Sequence, residues 1–324
     1  MNRNVQIFIS MLFVLSVTVP AKDVGRGGMA GSFLRMGMGA RTLGMGGGSA
    51  ALADDAHTVY YNPAGLVYLK HTYVTAALHN MALDRYLMYV GLAQSIGSES
   101  VRKPGMLRGG FGLGWLSSGV SNIDSRDENG VHEGMLSHGE HCFYFSFALN
   151  PDPKFALGVS GKLVYNRFPG LTKDEGAFST HGFGFDLGLI VKPVDAITLG
   201  ATLRDIRSRY SWDSQDVYDQ GRSVTDHFPN VFQIGMVWRA FSENLLVHAD
   251  YEKVEAMPGK GLFGAEYVLI SGFLLRAGVE GQQPAFGLGY RGRILSRGFQ
   301  LDYAYVPDPV APRSNHIMAC SFYF

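Results

Sequence analysis

The chain has 324 residues and a formal net charge of zero, with 28 basic and 28 acidic side chains. That balance supplies no basic face, so no nucleic-acid partner is expected. Glycine is abundant at 42 residues, with 21 Phe and 16 Tyr, and no long apolar run follows the N-terminus. Such a profile argues against a soluble α/β enzyme and for many strands that meet lipid.

In chain order, residues 1–21 read as a secretory signal peptide. Arg3 supplies the positive start, Val5–Val19 the apolar stretch, and Val19-Pro20-Ala21 the small residues of a cleavage site, which makes Lys22 the expected mature start. The stretch is short for a bilayer-spanning helix, and no Cys follows it, which sets aside a lipoprotein anchor.

Residues 22–71 come next, and within them Gly31–Leu66 is too glycine-rich for an ordinary core helix and too apolar for a free tail. Glycine permits positive φ and close backbone approach, which a segment threaded through a narrow lumen requires. Asn62-Pro63 reads as an N-cap with Pro at the first helical position, and Gly65 as the end of that turn. Asp54 or Asp55 is expected to cap the turn before it. The segment is expected to be a lumenal plug.

Residues 72–324 divide into fourteen alternating segments: Thr72–His79, Arg85–Gln94, Leu107–Leu116, His141–Leu149, Phe155–Asn166, Thr180–Val191, Ile197–Ile206, Asn230–Arg239, Asn244–Glu252, Gly261–Leu269, Phe273–Glu280, Ala285–Arg291, Gly298–Val306 and Asn315–Phe324. Most match the roughly 8–12 residues a tilted strand needs to cross a bilayer. In the sixth, Phe183, Phe185, Leu187, Leu189 and Val191 share one face, while Gly182, Gly184, Asp186 and Gly188 share the other. In the second, both faces are apolar. A soluble sandwich would turn the large apolar face inward. The glycine on the polar face and the aromatic ends of the apolar one, such as Trp115 and Trp238, favour the inverted arrangement. Connections alternate in length. Ser117–Glu140, Phe168–Ser179 and Arg207–Pro229 are long, whereas Asn150–Lys154, Lys192–Ala196, Ala240–Glu243 and Ile270–Gly272 are tight; Ser95–Met106 is the exception. The expected fold is therefore all-β, a 14-stranded antiparallel transmembrane β-barrel with an N-terminal lumenal plug. Cys142 and Cys320 fall on opposite faces and are not expected to pair.

The alternation turns Lys162, Asp186, Arg204, His248, Asp250, Glu252, Glu266, Arg276, Glu280, Arg291 and Asp302 toward the lumen. Arg35 and Arg41 are placed to pair with the carboxylates among them, either locking segment to wall or lining a selective conduit. Met36, Met38, Met45, Phe33 and Leu34 form a candidate apolar pocket. Asp127, Glu128, His132, Glu133, His138 and His141 crowd one loop without the spacing of a metal site. Gly44-Met45-Gly46 fails as a nucleotide loop, because Ser49 stands at the third glycine and no Gly-Lys-Ser/Thr follows. Asp54-Asp55 lacks the alternating oxygens of a calcium loop. No catalytic motif ties Ser, His and Asp together. No enzyme activity, metal or cofactor is expected.

Phe33-Leu34, Gly37-x-Gly39-Ala40-Arg41-x-x-Gly44-Met45-Gly46-Gly47, Ala53-Asp54-Asp55 and Tyr60-Tyr61-Asn62-Pro63-Ala64-Gly65-Leu66 together resemble the N-terminal signature of the PorV/PorQ family of outer-membrane proteins, itself similar to the FadL class of long-chain fatty-acid transporters. The resemblance implies a plugged 14-stranded barrel in the outer membrane of a Gram-negative bacterium. It implies passage of a hydrophobic small molecule, or alternatively an accessory role beside an exported protein in a type IX-like secretion system. The gate candidates it marks are Arg41, Gly44, Gly46, Asp54, Asp55, Asn62, Pro63 and Gly65. The chain's Phe324 end matches the familiar signal for outer-membrane assembly.

Overall fold

The structure is a computed structural model, and it describes residues 29–97, 107–170, 176–215, 221–240, 244–269, 272–294, 297–308 and 314–324. The signal-peptide expectation lies outside the described residues. The strands are β1 (Tyr73–Asn80), β2 (Arg85–Ile96), β3 (Arg108–Arg126), β4 (His132–Asp152), β5 (Phe155–Pro169), β6 (Ala177–Val194), β7 (Ile197–Ile206), β8 (Arg209–Asp213), β9 (Ser223–His227), β10 (Val231–Ala240), β11 (Leu245–Val254), β12 (Lys260–Val268), β13 (Phe273–Glu280), β14 (Gln283–Ile294), β15 (Arg297–Pro307) and β16 (Ser314–Tyr323). Fourteen of them, β1–β7 and β10–β16, close into one antiparallel barrel, with β16 returning to β1. Every expected strand is one of these.

The alternation decides which face is which. On β4, Phe143, Phe145 and Phe147 are 43%, 55% and 45% exposed, while Tyr144, Ser146 and Ala148 between them are buried. Similar outward rows of Leu, Phe and Tyr run round the wall. Soluble monomers rarely show so large an apolar surface, so this one suits hydrocarbon. Cys142 is buried, Cys320 is on the outward row, and both are free.

Two connections differ from expectation. Ser117–Glu140 is mostly strand: β3 and β4 continue as a paired ribbon through a bulge at Val120–Ile123, where Asn122 takes φ 57°. Pairing beyond the apolar band needs no apolar face, so the alternation that marks the lower strand is absent there. Arg207–Pro229 contains β8 and β9, a separate two-stranded sheet.

The segment before β1 packs on the inward face of the wall. It holds a 3₁₀ turn (Ser32–Arg35), a short α-helix α1 (Ala40–Gly44), a second, α2 (Thr58–Tyr61), and a 3₁₀ helix (Pro63–Tyr68). The first helix touches β13–β16; the last touches β2–β6. This explains the two-sided apolar β2: Leu87, Tyr89 and Ala93 face inward and are buried in one cluster with Val59, Leu66 and Val67 of the segment.

Candidate functional site

Backbone contact sets the geometry. A Cβ on Gly200 would stand 1.9 Å from the Ala50 carbonyl oxygen, and one on Gly264 would stand 2.1 Å from the Met45 carbonyl oxygen. The inward glycines thus do leave room, and the segment's main chain fills it. Gly46 is held in the same way, at φ +81° and against the backbone of Val279. Gly44 lies against Gly287.

Beside this contact, Arg41 organises the charges near the short-turn end. Its guanidinium, 2% exposed, donates to both oxygens of Glu266 at 2.9 Å, to Asp54 at 2.6 Å and to Asp55 at 3.1 Å. Glu266 also receives Arg276 at 2.6 Å and lies 3.6 Å from Arg291; Arg276 reaches Asp302 at 2.8 Å, and Arg239 reaches Asp54 at 3.3 Å. Four arginines face four carboxylates, and each buried charge has a partner. Burial works against ionised Asp54, but Arg41 and Arg239 outweigh it and hold the carboxyl below its ordinary range. Burial likewise opposes ionised Asp55, while His57 and Arg41 bring it down to about 2.

Midway along the wall, Asp250 accepts from Ala50 N at 2.9 Å and from Gln233 at 3.2 Å. His248 Nδ1 is 3.1 Å from Asp250, and its Nε2 is 2.8 Å from the Met45 carbonyl oxygen. A carbonyl only accepts, so Nε2 is the donor to Met45. The pair therefore holds Met45 and Ala50, the two ends of the glycine turn. Toward the long-loop end, Lys162 bonds Asp186 at 2.6 Å and also Asp205. Arg204 meets Glu252 at 3.0 Å, and Lys260 bridges Glu252 at 3.0 Å and Glu280 at 2.6 Å.

All the lumenal charges read from the alternation are buried or half-buried on the inward face. One was missed. Asp205 should point outward by strict alternation, but a bulge in β7 (Phe185 pairs with Ile206, Leu187 with Leu203) and φ 64° at Asp205 turn it in to Lys162. Adjacent Arg204-Asp205 followed by Arg207 was the available signal, since three charges cannot all face lipid.

Other expectations are corrected. Arg35 does not reach a wall carboxylate: it donates to the carbonyls of Ala30 and Gly31 at 3.1 Å, closing its own turn. Asn62 does cap, its side chain accepting from Ala64 N at 3.1 Å, and it also donates to the carbonyls of Ala50 and of Leu189 on the wall. Gly65, however, lies inside the 3₁₀ helix rather than ending it; its absent Cβ makes room for Thr58 Oγ1, 2.0 Å from that position. Asp55 accepts from His57 N at 2.9 Å, while Asp54 serves only the arginines. Met45 packs with Ala51, Leu52, Val237 and Leu246, apart from the main cluster that holds Phe33, Leu34 and Met38. His132 pairs with Asp124 at 2.5 Å and His138 with Asn166 at 2.8 Å, while His141 stands on the outward row, so the histidines diverge. No metal-holding group occurs among the described residues.

Every barrel strand is paired on both sides. Apolar clefts of about 530 and 590 Å³ lie on the outer wall, lined by residues such as Leu157, Leu187 and Leu203, and Tyr267, Leu275 and Phe286. At the mouth, rings form a continuous chain. Phe178 stacks on Trp212 at 5.0 Å, Trp212 meets Tyr210 at 5.6 Å, and Tyr210 meets Phe228 at 4.8 Å. Phe228 covers Gly31, and Tyr210, Phe228, Phe33 and Leu34 belong to one buried cluster.

This is a closed 14-stranded barrel with the N-terminal segment packed on its inward face. Solved structures with this fold include the Pseudomonas putida toluene transporter TodX (TM-score 0.60, 16% identity), the Ralstonia pickettii toluene transporter TbuX (0.58, 15%) and a Pseudomonas aeruginosa FadL homologue (0.61, 11%). Each alignment covers 89% of this chain and 98% of the other. At these identities the likeness is one of fold. No family profile matches the chain, and no curated protein matches it.

Proposed function

We propose that this chain is a non-enzymatic outer-membrane channel for hydrophobic small molecules, closed at rest by residues 29–71 acting as a plug. The observation that carries the reading is the run of rings from Trp212 and Phe178 at the mouth through Tyr210 to Phe228, which ends on Gly31 and the apolar start of the segment. Such a run offers a planar apolar ligand contact first at Trp212 and Phe178, and at the buried Tyr210 and Phe228 once the segment moves aside. The toluene transport named for TodX and TbuX supports the same ligand class here. The outward apolar rows support a location in the outer membrane, after removal of residues 1–21. The Gly37–Gly47 and Tyr60–Leu66 motifs support a place near the PorV/PorQ group.

The test is uptake of radiolabelled toluene by cells carrying the chain. Trp212→Ala with Phe178→Ala is expected to slow uptake several-fold while the heat-modifiable gel shift of a folded barrel is retained. Unchanged uptake in that variant sinks the reading. Deleting residues 31–66 is expected to make uptake ungated, and uptake indifferent to the deletion removes the plug from the account.

A further inference from the structure

On β4–β6 the outward row changes character abruptly. Phe143, Leu163 and Phe183 stand in register across the three strands, and two residues further toward the long loops the row becomes His141, Tyr165 and His181. That step is about 7 Å along the strand. Arg167 follows on β5, exposed. Between residues 135 and 149 of β4, 155 and 169 of β5, and 177 and 191 of β6, the outward positions carry no carboxylate; Glu140 faces inward to Asn166 and Tyr210. The rings are held in place: His141 stacks between Trp115 at 6.0 Å and Tyr165 at 6.2 Å, with interplanar angles of 26° and 16°. His141 Nδ1 is buried without a hydrogen-bond partner, which leaves Nε2 as the nitrogen the ring can turn outward.

We propose that this patch binds the phosphate of a lipid headgroup at the long-loop side of the membrane. Arg167 supplies a fixed cation, the imidazoles supply donors, and Tyr165 adds a hydroxyl at the level where hydrocarbon gives way to polar headgroups. The acyl chains of the same molecule lie along the Phe and Leu rows directly below. A lipid is the source, because no other phosphate carrier is offered both contacts at once. The proposal rests on the reading that the outward apolar rows face a membrane.

Native mass spectrometry of the purified full chain in detergent tests it. The probe is a diphosphorylated glucosamine acyl lipid, set against its dephosphorylated form with identical chains. The wild type is expected to retain the phosphorylated lipid about fivefold over the other, the worth of roughly one favourable charge contact at a membrane surface. A variant with Arg167→Gln, His141→Gln and His181→Gln is expected to bind both equally and to keep its heat-modifiable gel shift. If His141→Gln impairs folding, Arg167→Gln with His181→Gln, both exposed positions, is expected to lose most of the preference. No preference in the wild type, or an undiminished one in the variants, overturns the proposal. So does displacement of the lipid by inorganic phosphate, which would mark a free-anion site. Retention of neither lipid would count against the membrane reading itself, whereas toluene uptake tests the channel separately.

Discussion

The two halves of the N-terminal segment are docked by different physics. Residues 40–55 add charge to the backbone contact they make with β10–β16, with Arg41 on Glu266 and the turn ends on Asp250 and His248. Residues 57–69 meet β2–β6 through shape, with Val59, Leu66 and the Asn62–Ala64 backbone laid on glycines and apolar side chains. Ion pairs are directional, and breaking one strands its partner. Shape contact has no single bond to break and fails only when volume is added. The charged half is therefore the one a local change can unlatch, and the packed half is the anchor.

The largest expected effect follows from Arg41. Arg41→Met leaves Asp54 and Asp55 without their main cation and Glu266 with Arg276 and Arg291, and is expected to weaken docking of the charged half by about 3–5 kcal/mol. Maleimide labelling of a Ser49→Cys reporter checks it; labelling as slow as in the parent would erase the distinction between the halves. On the other side, Gly188→Ala puts a methyl 2.1 Å from Asn62 Oδ1. It is expected to cost about 1–3 kcal/mol and to lower the temperature of the gel shift without speeding Ser49 labelling. Asn62→Ala removes the cap and the bonds to Ala50 and Leu189 that join the halves, for about 1–2 kcal/mol, and should affect both readouts modestly.

Acid is expected to have the smallest effect. The folded pKa of Asp55 is depressed, so its contribution is complete above the ordinary carboxyl range and is lost only as pH falls through about 2. Ser49 labelling should therefore be equal in protein exposed to pH 7 and to pH 5. Release by pH 5 would mean that the Arg41 cluster is not the latch.

The barrel was legible because its code is simple: period two, an apolar face and turn residues, repeated fourteen times. The site was legible to the same depth, since alternation alone turned Glu266, Arg276, Asp302 and Asp250 inward. What it could not supply was partner choice. Arg35 and Arg41 are both basic residues in one glycine-rich stretch, yet one closes a local turn and the other crosses to β12, a difference set by where the chain bends. Asp205 escaped because a bulge breaks the period that revealed the others. Gly65 read as a terminator because glycine does end helices, whereas here it answers Thr58 from within one. The ribbon beyond Ser117 escaped because strands that leave the apolar band keep their pairing and lose their pattern.

The contact between Arg41 and Glu266 spans 225 positions of sequence. The seat of the N-terminal segment is thus built partly by strands near the other end of the chain, and β16 closes the wall by pairing with β1, the strand that directly follows the segment. The helix at Ala40–Gly44 also touches β16, so the segment and the closing seam of the wall are tied to one strand.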